Sequence, residues 1–175
     1  MMNTAAANPI KVSSVEQQRE TLLTHQIGEL AFFRGMSVEQ VQKLGTCARR
    51  VEFRPGELIF QAGDPANRFY VVETGSVLIK TPDPGAAAIP IQAIGPGEVI
   101  GWSWLYPPFE WNFIARATER CEAIFFYGTR LRHEMETDLA LSNELYQRIA
   151  QVMLGRMRHM RTQLVQSQRA RIGYQ

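Results

Sequence analysis

Residues 50–127 are cut by proline and glycine into eight short β-rich runs, and this rhythm restricts the fold more than any other feature of the chain. The runs are 51–54, 58–61, 69–73, 76–81, 89–94, 98–100, 112–117 and 123–127. Between them stand Pro-Gly, Gly-Asp-Pro, Thr-Gly, Pro-Asp-Pro-Gly and Gly-Pro-Gly, each a turn signal. No ten-residue helical pattern separates neighbouring runs, which argues against a parallel βαβ sheet. The expected architecture is therefore mainly β with flanking helices: an eight-stranded antiparallel jelly roll.

Helical texture brackets this block. Over 15–33 the residues Val15, Leu22, Leu23, Ile27 and Leu30 are spaced for one helix face. Ser37-Val38-Glu39-Gln40 fits a capping box and predicts a short helix to about Ala48. After 139 the apolar period becomes helical. Tyr146, Ala150, Met153, Met157, Met160 and Leu164 are spaced 4, 3, 4, 3 and 4 residues apart, which is a heptad seam. A second stripe, Leu141, Leu145, Ile149 and Val152, runs beside it. One helix with two apolar stripes has two faces to bury, one on the barrel and one on a partner. No other helix in the chain is long enough to cover the seam, so a homodimer is expected. The organisation reads as a loose leader over 1–14, an effector domain over 15–138, a dimerisation helix over 139–168 and a tail over 169–175.

Composition narrows the function classes. Nineteen basic residues against 17 acidic ones leave a net charge of only +2, which does not indicate a strongly basic nucleic-acid binder. From 139 to 175 there are six arginines and one acid, read here as a solvated helix face with cations near the negative end of the dipole. No apolar run reaches membrane-spanning length, and the start carries no secretory pattern, so the chain is expected to be cytoplasmic. Cys47 and Cys121 read as buried small hydrophobes. His25, His133 and His159 have no partner at metal spacing. Nothing pairs a nucleophile with a base; neither an enzyme nor a metal or other cofactor is expected.

The stretch from Phe53-Arg54-Pro55-Gly56 through Ile59, Gly63-Asp64, Tyr70 and Gly75, with Gly95-Pro96-Gly97-Glu98 and Ile100-Gly101 further on, resembles the cyclic-nucleotide-binding domain of the catabolite activator family. The resemblance covers roughly 30–164 and implies a jelly roll that dimerises through its last helix in bacterial members. It also implies a ligand cassette after Gly101, in which a short helix, a glutamate and, about ten positions later, an arginine hold ribose and cyclic phosphate. At those positions this chain has Trp102 and Trp111. Losing one partner of a buried charge pair costs about 2–5 kcal/mol, on the order of 30- to several-thousand-fold in affinity. Tight binding of cyclic AMP or cyclic GMP is therefore not expected. Arg116 is no substitute, because its odd offset from Trp111 on a strand turns it to the opposite face. About ten residues follow Leu164, fewer than the helix-turn-helix module that transcription factors of the family carry, so no DNA-reading element is expected.

All three tryptophans fall between 102 and 111. Three readings of the cassette stand side by side. The indoles fill the ancestral cavity, leaving a ligand-free interaction module. Alternatively Gly101, Trp102, Ser103, Trp104, Trp111, Asn112 and Phe113 line a pocket for an aromatic or apolar effector, with Ser103 and Asn112 as its polar groups. In the third, weak cyclic-nucleotide binding survives through the helix N-terminus and indole stacking.

Overall fold

The computed structural model describes residues 14–172; the leader before Ser14 and the last three residues of the tail lie outside the described residues. Two helices open the chain, α1 (Ser14–Glu29) and α2 (Val38–Cys47). Eight strands follow: β1 (Ala48–Phe53), β2 (Leu58–Phe60), β3 (Arg68–Thr74), β4 (Val77–Thr81), β5 (Ile89–Ile94), β6 (Val99–Ile100), β7 (Ile114–Ala117) and β8 (Cys121–Tyr127). A 3₁₀ turn (Ser103–Leu105) separates β6 from β7, and α3 (Gly128–Thr137) and α4 (Leu139–Ile172) end the chain. The strands form two four-stranded sheets, ordered β1-β8-β3-β6 and β2-β7-β4-β5, with every pairing antiparallel. Every β-rich run of the sequence becomes a strand, and the jelly roll expected from them is the fold observed.

Alternation along two strands explains the layering. Phe69 and Val71 of β3 and Ile124 and Phe126 of β8 point into one core. Their neighbours Tyr70, Val72, Ala123 and Phe125 point into another. The first core is capped by helices and takes in Ile27, Leu44, Leu131, Leu141, Leu145 and Ile149. The second fills the space between the sheets. A sheet buried on both faces has no polar side, which is why these segments read Phe-Tyr-Val-Val and Ala-Ile-Phe-Phe without a polar interruption. The capping box at Ser37 forms as expected, with Gln40 N–H donating to Ser37 Oγ at 3.2 Å and Ser37 N–H to Gln40 Oε1 at 3.0 Å.

Two boundaries depart from the sequence reading. α3 was not foreseen: it offers only Leu131 and Met135 to the core and no capping side chain, so its apolar signal is too thin to stand out. α4 runs to Ile172 and not to 168, because Arg169 and Ala170 are helix formers and no breaker stands between them and Ile172.

Asp138 sets where α4 begins. Its carboxylate accepts the Leu141 N–H at 2.9 Å and the Lys43 ammonium at 2.7 Å, tying the long helix to α2. The backbone N–H of Leu141, then Lys43, hold this carboxyl below its ordinary range. A depressed folded value gives stability that is present above the unfolded value of about 3.9 and is lost as pH falls through the folded one. Asp138→Ala is therefore expected to melt below the wild type at neutral pH. The gap should narrow as the buffer is taken below about pH 4, measured by thermal unfolding at a series of pH values.

Candidate functional site

β6 delivers the chain to Gly101, which has φ +83. A Cβ there would stand 2.7 Å from the outer edge of the Trp111 ring, so conformation and space both require glycine. Trp111 is 5% exposed and stacks on Phe60 with centroids 4.0 Å apart and planes at 12°. It belongs to the core between the sheets. Parity then follows the strand as expected: Phe113, Ala115 and Ala117 turn inward, while Asn112, Arg116 and Thr118 are exposed. Arg116 donates to the Gly56 carbonyl, away from the cassette.

Six of the seven candidate residues line one cavity of about 210 Å³: Gly101, Trp102, Ser103, Trp111, Asn112 and Phe113. Trp104 does not. It is fully buried in the helix-capped core, stacked on Phe69 at 5.3 Å, because residues two apart in a 3₁₀ turn point to different sides. Ser103 and Asn112, the two candidate polar groups, lie together, with Asn112 Nδ2 donating to Ser103 Oγ at 3.4 Å. Trp102, by contrast with the other two indoles, is only half-buried.

The opposite wall was missed from sequence. Phe60, Ile79, Ile91 and Gln92 come from the β2-β7-β4-β5 sheet, and α4 contributes Met153, Arg156, Met157 and Met160. These four helix positions stand at i, i+3, i+4 and i+7, one face of the helix. Arg156 brings to the cavity a cation that the sequence reading did not foresee, so the lack of a cassette arginine no longer argues by itself against a bound anion. Its guanidinium lies 4.7 Å from the Trp102 ring and donates to the Val99 carbonyl. Burial pulls this guanidinium down to about 10, with Glu98 opposing the shift, so it remains charged at neutral pH. The Glu98 carboxylate itself accepts the Gly95 N–H at 2.8 Å. A second contact between cassette and helix is the Tyr106–Tyr146 ring pair at 6.4 Å.

The seam residues Tyr146, Ala150, Met153, Met157, Met160 and Leu164 are all exposed, whereas Leu141, Leu145 and Ile149 of the second stripe are buried. The barrel thus covers one stripe, while the other stays exposed along the helix, with Met153, Met157 and Met160 bordering the cavity and Tyr146 beside the Tyr106 ring. A larger groove of about 620 Å³ lies between α1 and α2, lined by Glu20, Thr24, His25 and Gly45 among others; it gathers no phenylalanine, tyrosine or tryptophan and no buried cation. Cys47 and Cys121 are buried, and burial pushes both thiols up, away from nucleophile behaviour. Among the described residues no cluster of histidine, cysteine and carboxylate could hold a metal ion, and no helix is long and apolar enough to cross a membrane.

Residues 50–138, just over half of the chain, match the family model described as the cyclic nucleotide-binding domain. No curated protein is significantly similar in sequence. Among solved structures, a Geobacter metallireducens GS-15 protein named for cyclic-nucleotide binding is 24% identical with a TM-score of 0.70, over 77% of this chain and 97% of its own. A cyclic nucleotide-binding domain from Methylobacillus flagellatus is 14% identical, also at TM-score 0.70, over 93% and 97%. The regulatory subunit of a cAMP-independent protein kinase A from Trypanosoma brucei is 18% identical at TM-score 0.65, over 80% of this chain and 50% of its own. At these identities the likeness is one of fold.

Proposed function

The chain belongs to the cyclic nucleotide-binding domain family, and on that premise we propose that it is a non-enzymatic, cytoplasmic regulatory module which senses a small planar effector in place of a tightly held cyclic nucleotide. The observation that carries this reading is the cavity shared between the cassette and α4, walled by Trp102 and Phe113 on one side and by Met153, Met157 and Met160 on the other. Flat apolar walls with a few polar groups favour a ring system. Size points the same way. Drug-sized ligands occupy about 300–1,000 Å³, and a cavity of about 150 Å³ accepts benzene; at about 210 Å³ this one suits one or two rings. Trp102 and Trp111 stand where the family pattern has its acid and arginine, and Arg156, the cation that lines the cavity, comes from α4 and not from the cassette. The name of the trypanosomal relative, a regulatory subunit of a cAMP-independent kinase, agrees with a regulator on this fold that does not answer to cyclic AMP.

The partner in this reading is a second copy of the chain, seated on the exposed seam Tyr146, Ala150, Met153, Met157, Met160 and Leu164. Met153, Met157 and Met160 belong both to that seam and to the cavity wall, so occupancy and helix pairing share side chains.

Indole emission and thermal shift, followed while cyclic AMP, cyclic GMP and a panel of aromatic acids are titrated, test the proposal. An aromatic compound is expected to quench Trp102 and raise the melting temperature. Neither cyclic nucleotide should saturate at low micromolar concentration; saturable cyclic AMP binding in that range overturns the reading.

A further inference from the structure

A guanidinium without a contacting acid marks the cavity between the cassette and α4. Arg156 is set into the wall of an apolar cavity, yet among the described residues no carboxylate lies within ion-pair distance of it. Among the described residues its protein acceptor is the Val99 carbonyl, which takes one of five N–H donors. The Trp102 ring covers one face of the guanidinium at 4.7 Å and so leaves its edge as the direction for further hydrogen bonds. Arg148, one helix-turn pair earlier, shows what a structural arginine does on the same helix: it pairs with Glu144 and donates to the carbonyls of Phe32 and Arg34. Glu98 favours the charge from beyond ion-pair distance, but its carboxylate is engaged by the Gly95 N–H, so the guanidinium edge keeps donors to spare.

We propose that Arg156, stacked on Trp102, is the anion anchor of the cavity, and that the effector is a small planar aromatic carboxylate. This rests on the sensor reading and specifies its ligand. A guanidinium presents two parallel N–H donors that match a carboxylate, while the ring system of the ligand lies against Trp102 and Phe113 with Asn112 and Ser103 at its polar edge. The anchor sits on α4 and the platform on the cassette. A bound acid therefore bridges the two elements, and its affinity depends on how they sit together.

Matched acids and amides decide the matter on the unaltered protein. Benzoate against benzamide, and cinnamate against cinnamamide, are titrated by calorimetry and thermal shift. Each pair has the same ring and nearly the same shape but differs in charge. The acid is expected to bind about 10- to 100-fold more tightly than its amide. Arg156→Gln should abolish that preference, and Arg156→Lys should keep part of it. Equal binding of acid and amide to the wild type overturns the anchor while leaving an aromatic pocket standing, as does an acid preference that survives Arg156→Gln. No binding by any of the four compounds removes both the anchor and the sensor reading. The wild-type comparison holds even if the variants fail to fold.

Discussion

Trp111→Ala is expected to lower the free energy of unfolding by about 3–5 kcal/mol, the range for truncating a large aromatic in a packed core. For a chain of this length that is on the order of 10 °C in melting temperature. The expectation follows from three observations that concern the same ring. Trp111 is 5% exposed, it stacks on Phe60 at 4.0 Å, and its outer edge fills the space that a side chain at Gly101 would need. Trp102→Ala should behave differently. That ring is half-buried and is covered on one side by a guanidinium, so its loss is expected to cost about 1 kcal/mol of stability and to remove aromatic binding. The pair of variants separates two roles that the sequence does not distinguish for tryptophans nine residues apart. A loss of less than about 1 kcal/mol for Trp111→Ala would show that the indole is not a core element. Position 111 would then not have been converted from ligand anchor to packing.

How far the sequence alone reaches depends on whether a property is local. Turn chemistry is local, and the strand boundaries follow from it; positive φ at Gly56, Gly63, Gly75 and Gly97 agrees with corners read from Pro-Gly and Thr-Gly pairs. Strand parity is local too, and it placed Phe113 inward and Arg116 outward correctly. Side-chain direction in an irregular segment is not. Trp102 and Trp104 look equivalent in the sequence, yet a turn of 3₁₀ helix sends the second into the helix-capped core. Nor is it local which helix closes a cavity. The methionines at 153, 157 and 160 were legible as an apolar seam, and their second role as a pocket wall was not. The sequence offered no separate signal for it: Arg156 flanks the seam, i+3 from Met153 and i−4 from Met160, at a position where paired helices ordinarily carry charge.

The same stripe carries the proposed assembly, and here the expected effect is the largest. The wild-type protein is expected to sediment at twice the 19.9 kDa chain mass, through paired α4 helices. Ala150→Glu combined with Leu164→Glu should return the single-chain mass, because both positions lie in the exposed seam and pairing would force carboxylates together out of water. A buried unpaired charge costs several kcal/mol, and each 1.4 kcal/mol is about a tenfold change in dissociation constant, so the dimer should weaken by several orders of magnitude. Neither residue lines the cavity, which leaves the binding site of a folded monomer intact and lets its affinity be compared with that of the dimer. If helix pairing and effector binding are coupled through Met153, Met157 and Met160, then linkage makes the coupling reciprocal: the monomeric variant binds the aromatic acid with altered affinity, and the acid shifts the wild-type dissociation constant by the same factor. Sedimentation equilibrium with and without the acid measures both quantities. A wild-type chain that remains monomeric at high protein concentration removes the dimer, and equal affinities in both forms remove the coupling while leaving the dimer in place.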